Sequence, residues 1–292
     1  MMKKINSILV CLDLSSFDKA LTNFTIYLEN HLDADAKITL FHNIRYDFLG
    51  SQMKLSEEQI QTLKQKIKSE IHDQCKPSFK NENIDFDLII DDDNSTIKSI
   101  LKARDACDAD LILMGKKRDD EGAGIVPQKL LSMDRKRTPM LLVREGRMPK
   151  IENFVAAVDL TPITAKLVDF TGDLAGQFGG TPTCLYVYQI PITYFPYIES
   201  SNKELKAEIK ENSMEKFSSF IKENEDLKLV NWNLELRKGT NIARSIVEYL
   251  EESDGDLLVI ARVGKPNLLG TRVGGVTRSL LNLALPVPLL II

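Results

Sequence analysis

Residues 108–115 read Asp-Ala-Asp-Leu-Ile-Leu-Met-Gly, and 146 positions after Asp110 the run Asp256-Leu-Leu-Val-Ile-Ala261 repeats its aspartate and apolar core. An uninterrupted apolar run of this length, opened by an acid, is the pattern of a strand buried on both faces. The same offset of 146 carries Ile8-Leu-Val-Cys-Leu-Asp13 onto Phe154-Val-Ala-Ala-Val-Asp159, and Ile100 onto Ile246. Equal spacing at three separated places defines a tandem duplication. The expected domains are 1–146 and 150–292, joined by a linker around Arg144-Glu-Gly-Arg-Met-Pro-Lys150.

Within each half, short apolar strands alternate with amphipathic stretches, as in a parallel sheet with helices on its faces. The second half predicts strands at 154–159, 183–188, 229–236, 257–261 and 287–292, with helices from Pro162 to about Phe178 and over 202–224, 241–252 and 275–283. Thr161-Pro162 suits a helix start, and Gly179-Gly180 a stop. The first half repeats the plan with strands near 5–12, 37–43, 84–90, 111–114 and 140–143. Ser56-Glu-Glu-Gln59 has capping-box spacing and opens a helix expected to reach Lys76. The fold class is therefore α/β: two tandem, doubly wound, five-stranded parallel-sheet domains. Such sheets take ligands outside the carboxyl ends of their strands, where the strand order reverses. That directs attention to the loops after Asp13, Asp159, Gly115 and Ala261.

Composition bounds the function classes. A formal charge of −4 leaves no global basic field for nucleic acid or anionic lipid. Cys11, Cys75, Cys107 and Cys184 are scattered, with no CxxC pair and three histidines in all, so neither a zinc site nor a disulfide framework is indicated. The apolar run of MMKKINSILVCLD is too short for a signal peptide, and no stretch approaches about 18 apolar residues. A cytoplasmic protein without membrane contact is expected. No GxSxG, GxxxxGK[ST] or HExxH pattern is present, and no nucleophile–base–orienter set emerges.

The most informative loop is Ala261-Arg-Val-Gly-Lys-Pro-Asn-Leu-Leu-Gly-Thr-Arg-Val-Gly-Gly275, in which glycines alternate with cations after a buried strand. A strand feeding such a loop is a common way to hold phosphate. In the first half the same offset gives Gly115, Arg118, Gln128 and Lys129. Only one glycine survives, and Asp119, Asp120 and Glu121 cancel the field of Arg118. The shorter stretch from Gln128 to Pro139 suggests a shortened last helix.

Minor features read as structural. Asp91-Asp-Asp-Asn94 matches a calcium loop for three residues and better fits an acidic helix start. His42, with no partner carboxylate or cysteine in the pattern, reads as a surface or hydrogen-bonded histidine. Pro191, Tyr194, Phe195, Pro196 and Tyr197 form an aromatic loop suited to a lid, an interface or plain packing.

These residues resemble the universal stress protein family in its tandem, two-domain bacterial form. The resemblance spans nearly the whole chain. It rests on VCLDLS and AAVDLT, on Lys238-Gly-Thr240 with Ile246-Val-Glu248, on DADLILMG, and on the closing TPMLLV and VPLLII. It implies the fold shared with adenine-nucleotide alpha hydrolases. In the nucleotide-binding branch of that family, Gly-x2-Gly-x9-Gly-Ser/Thr holds the triphosphate, the first-strand aspartate meets adenine, and a valine after the second strand lines base and ribose. Carried over, these roles fall on Ala261, Gly264, Gly274 and Gly275 with Val276 behind them, on Asp159 with Ala157, and on Val187. The nine-residue spacing from Gly264 to Gly274 is kept, while Ala261 and Gly275 replace a glycine and a hydroxyl. Alanine is tolerable at 261 if φ is negative there. The lost hydroxyl removes a hydrogen bond of about 1 kcal/mol, the amides of Gly274, Gly275 and Val276 remain as anion donors, and Thr277 offers a hydroxyl two residues late.

The resemblance thus implies a non-catalytic stress-response protein binding ATP or a related adenine nucleotide in its second domain only, with no metal ligand set. It also implies that the two domains pair within the chain through their last strands, with a homodimer or another protein as further partners. The apolar VPLLII would then be buried. A protein-interaction module without nucleotide, and a slow ATPase, remain open alternatives.

Overall fold

The computed structural model describes residues 4–32, 36–45, 56–116, 125–144, 150–189, 203–223, 233–239, 241–263 and 273–292. The chain divides into two compact units, one up to residue 149 and one over Lys150–Ile292.

In the first unit the elements follow as β1 (Ser7–Leu12), α1 (Asp18–Glu29), β2 (Lys37–Asn43), α2 (Glu57–Asn81), β3 (Phe86–Asp91), α3 (Thr96–Ala106), β4 (Leu111–Lys116), α4 (Ile125–Met133) and β5 (Met140–Arg144). All strands run parallel, in the order β3-β2-β1-β4-β5. The second unit repeats this with β6 (Asn153–Val158), α5 (Pro162–Phe178), β7 (Thr181–Gln189), α6 (Lys203–Glu223), β8 (Asn233–Gly239), α7 (Ile242–Glu252), β9 (Leu257–Ile260), α8 (Gly275–Leu281) and β10 (Leu289–Ile291). Its order is β8-β7-β6-β9-β10. The order reverses between β1 and β4, and between β6 and β9.

Helices cover both faces of each sheet, which is why the central strands are apolar throughout. Phe79 of α2 packs on Phe86, whereas Ser99 of α3 donates to Asp91; these strand positions differ by an odd number and so face opposite ways. In the second unit Phe217 of α6 packs on Tyr186, and Tyr249 of α7 meets Arg237, the register partner of Val187, on the other face. Ile8, Leu9, Val10, Ile112, Leu113, Leu258 and Val259 have no exposed surface, each burial stabilising the fold by about 1.5–3 kcal/mol.

The aspartate that opens each fourth strand ties it to the first. The Asp110 amide donates to the Ser7 carbonyl, and its carboxylate accepts the Asn6 amide at 2.9 Å. Asp256 does the same with the Asn153 carbonyl and the amides of Glu152 and Asn153, both at 3.1 Å. The acid before the apolar run is thus a strap across the sheet's centre.

Several boundaries differ from sequence expectation. The capping box at Ser56 and Gln59 is present, yet α2 runs through Pro77 to Asn81 instead of ending near Lys76. Phe79, 1% exposed against Phe86 at 5.0 Å, anchors the turn that the proline would otherwise break. The acids of residues 91–93 precede α3 rather than entering its first turn. Asp91 ends β3 and accepts from Ser99, Asp92 pairs with Lys64 at 2.8 Å, and Asp93 accepts the amide of the N-cap Ser95. Nor is α4 shortened: it is nine residues long against seven in α8. The length difference lies in the connections around it.

Candidate functional site at the carboxyl ends of β6 and β9

Asp159 follows β6 in a tight turn. Leu160 adopts φ 56°, a left-handed conformation unusual for leucine. Asp159 Oδ1 holds the turn, accepting from the Thr161 amide at 3.2 Å, the Thr161 hydroxyl at 2.5 Å and the Thr164 hydroxyl at 3.2 Å. Pro162 then opens α5, and Gly179 ends it at φ 62°. The side chain of Asp159 is solvent-exposed, and its charge adds to burial in pushing the Tyr186 phenol up.

The first unit builds the same turn. Leu14 has φ 61°, and Asp13 Oδ1 accepts from the Ser15 amide and hydroxyl. Here Asp18 replaces Thr164, its carboxylate taking the amides of Asp13 at 3.1 Å and Leu14 at 2.9 Å. The turn-holding role of the first-strand aspartate is therefore common to both units and does not depend on a ligand.

Ala157 and Val187 share one face of the second sheet, because Ala157 is in register with Leu185 and with Ile260. Val187 is buried at 5% exposure. Ala261 lies just beyond β9, beside the end of β6, and its backbone is not left-handed. The condition for tolerating alanine there is met. Gly264, with Lys265, Gly270 and Arg272, falls outside the described residues, as do Arg118, Thr240 and the aromatic loop 191–197.

The loop's return is well defined. Gly274 is the N-cap of α8 at φ −65° and ψ 156°, and Gly275 is its first residue. The Gly274 amide donates to the Arg262 carbonyl at 2.8 Å, so it is not available to an anion as the sequence suggested. Among the described residues no partner meets the amides of Gly275 or Val276, which stand in the first helical turn. Thr277 is also not offered outward. It is 3% exposed, and its hydroxyl donates to the Ala261 carbonyl at 3.0 Å.

Neither glycine is demanded by the fold. Among the described residues a Cβ at 275 would meet nothing within 4 Å, and one at 274 would come no closer than 3.4 Å, to the Arg262 carbonyl oxygen. Gly115 in the first unit is different, since a Cβ there would lie 2.6 Å from the Phe17 ring. Phe17, 5% exposed, covers the end of β4, and the second unit carries the smaller Ile163 at that offset, with a methyl at Ala261. The fixed offset also fails across this loop. Gln128 and Lys129 lie inside α4, and the helix-start position corresponding to Gly275 is Ile125, 57% exposed.

His42, the next-to-last residue of β2, is buried at 8% exposure and shares its Nδ1 with the Leu12 carbonyl at 3.0 Å. Burial pushes its pKa down, against the opposing effects of that bond and of Asp13. Among the described residues no cluster of three metal-ligating side chains occurs, and no helix is long and apolar enough to cross a membrane. A cavity of about 440 Å³, lined by Lys37, Thr39, His72, Asp87 and Cys107, opens at the amino ends of β2 and β3 and shares no residue with this site.

Fold and crevice together define a class: tandem doubly wound α/β domains with a glycine-bearing loop at the switch point of the second. Residues 150–292 match the sequence model of the Universal stress protein family, so the second domain belongs to that family. The whole chain has the family's two-domain fold. A universal stress protein from Archaeoglobus fulgidus DSM 4304 superposes with a TM-score of 0.64 at 15% identity, over 98% of this chain and 97% of its own. A functionally unknown protein from Pseudomonas aeruginosa PAO1 gives 0.64 at 16% identity, covering 99% of this chain and 92% of its own. A putative universal stress protein from Pseudomonas aeruginosa UCBPP-PA14 gives 0.62 at 17%, covering 99% and 93%. Among curated proteins none matches in sequence.

Proposed function

We propose that the second domain binds an adenine nucleotide, ATP or a close relative, at the carboxyl ends of β6 and β9. The chain then serves as a non-catalytic, cytoplasmic stress-response protein. The observation that carries this reading is the pair Gly274–Gly275. Neither has a left-handed backbone, and among the described residues position 275 has open space for a side chain. Glycine at a first helical position costs up to about 1 kcal/mol against alanine, so a fold with no steric need for it supports close approach by a ligand. The open amides of Gly275 and Val276 are donors for phosphate oxygens. Asp159 would meet the base through the oxygen its turn does not use, with Ala157 and Val187 lining base and ribose. Ala261 and Gly264 would flank the phosphates.

Binding in the second domain alone is supported by the contrast with the first. There Phe17 covers Gly115, and an exposed isoleucine stands at the start of α4. The same reading has the two domains pairing within one chain, and light scattering on the full chain would distinguish a monomer from a further homodimer.

The test is to denature the purified protein and identify the small molecules released, then to follow melting against millimolar ATP. Adenine nucleotide in the supernatant and a raised melting temperature are expected; no shift at millimolar ATP sinks the reading. Gly274→Asp should abolish the shift and Ile125→Asp leave it intact. Turnover above spontaneous hydrolysis, lost with Asp159→Ala, would favour the slow ATPase instead.

A further inference from the structure

The chain leaves the second sheet at Ala261 and Arg262 and returns to it at Gly274. Two hydrogen bonds to successive carbonyls close the base of the excursion: Gly274 amide to Arg262 at 2.8 Å, and Thr277 hydroxyl to Ala261 at 3.0 Å. The second is made by a buried side chain three residues into a helix whose start is two glycines. Glycines hold a backbone direction poorly, and a pair of amides receives an anion only when both converge on it. Something other than the glycines must therefore fix where the first turn of α8 points.

We propose that Thr277 is the positioning residue of this loop, holding the amides of Gly275 and Val276 against the carboxyl end of β9; this rests on the nucleotide reading above. The first domain supplies an independent contrast. Position three of α4 is Pro127, which has no hydroxyl to donate to the end of β4. The clamp is present in the domain that keeps its glycines and lacks its counterpart in the domain that has lost them. Thr277 does not touch the ligand; it acts through the backbone it holds.

The experiment uses the full chain as wild type, Thr277→Val and Thr277→Ser, titrated with ATP and separately with adenosine. Amide hydrogen exchange is followed over residues 274–278 without ligand. Loss of one hydroxyl that orients the phosphate donors should weaken ATP about tenfold and leave adenosine within about twofold. Exchange at 274–278 should quicken in the valine variant while α7 is unchanged, and serine should behave as wild type. Equal weakening of ATP and adenosine, or unchanged exchange at 274–278, would overturn the proposal. If wild type takes neither ligand, the nucleotide reading falls and the exchange comparison alone decides the role of Thr277. Thr277→Ala, read in the same way, replaces the valine variant if that one does not fold.

Discussion

Consider Gly275 replaced by serine. Among the described residues a Cβ built there meets nothing within 4 Å, and the residue sits in the first turn of α8 with no left-handed backbone. The substitution therefore introduces no clash and no strain. It has two separable effects. Replacing glycine in a helix should stabilise the apo protein by a few tenths of a kcal/mol. The new hydroxyl should also donate to a phosphate oxygen beside the amides of Gly275 and Val276. A hydrogen bond to a charged group is worth about 1.5–3 kcal/mol, and ordering the serine offsets part of it. A net gain of about 1.4 kcal/mol is a tenfold tighter complex. Gly275→Ala is the control, because it brings the helix effect without the hydroxyl. Isothermal titration of ATP into wild type and both variants should rank serine well above alanine, with alanine near wild type. If serine and alanine bind ATP equally, position 275 does not face a phosphate and the assignment of the loop is wrong.

In the first domain, Gly115→Ala should destabilise by about 1–3 kcal/mol in denaturant melts, because the methyl meets the Phe17 ring at 2.6 Å; Phe17→Leu in the same chain should recover most of the loss. Burial holds the folded pKa of His42 below its unfolded value, so its contribution is complete above about pH 6.5 and fades as pH falls toward the depressed value; His42→Gln should flatten the melting temperature across that interval. Arg104 lies buried against Asp134 at 2.5 Å and Thr138 at 2.9 Å, where the second domain carries Leu250 at the matching helix position. Arg104→Leu should cost about 3–5 kcal/mol by removing the counter-ion of the buried Asp134 carboxylate, which still accepts the amides of Lys136 and Thr138, and thermal melts should show less loss when Asp134→Leu is added.

The duplication and the parallel doubly wound sheets were legible in the chain itself. Buried strands must be written as apolar runs, and a second copy repeats them at a fixed offset. DADLILMG was conspicuous because Asp110 and Asp256 strap the first strand to the fourth, a need recurring in each domain. The offset that revealed the repeat misled across the first domain's last loop. There the connections on either side of α4 change length, so Ile125 and not Lys129 opens the helix.

What hydroxyls and amides do could not be read from residue type. Thr277 looked like a substitute ligand and is spent on Ala261; the Gly274 amide looked open and is spent on Arg262. Whether Gly115 and Gly275 serve packing or leave room depended on what lies opposite them: an aromatic ring in one case and open space in the other. Strand order and burial follow from patterns spread over many residues, so the sequence by itself determined them. The free donors and free space at a site depend on distances of a few tenths of an ångström between residues far apart in the chain, and those only the tertiary structure decided.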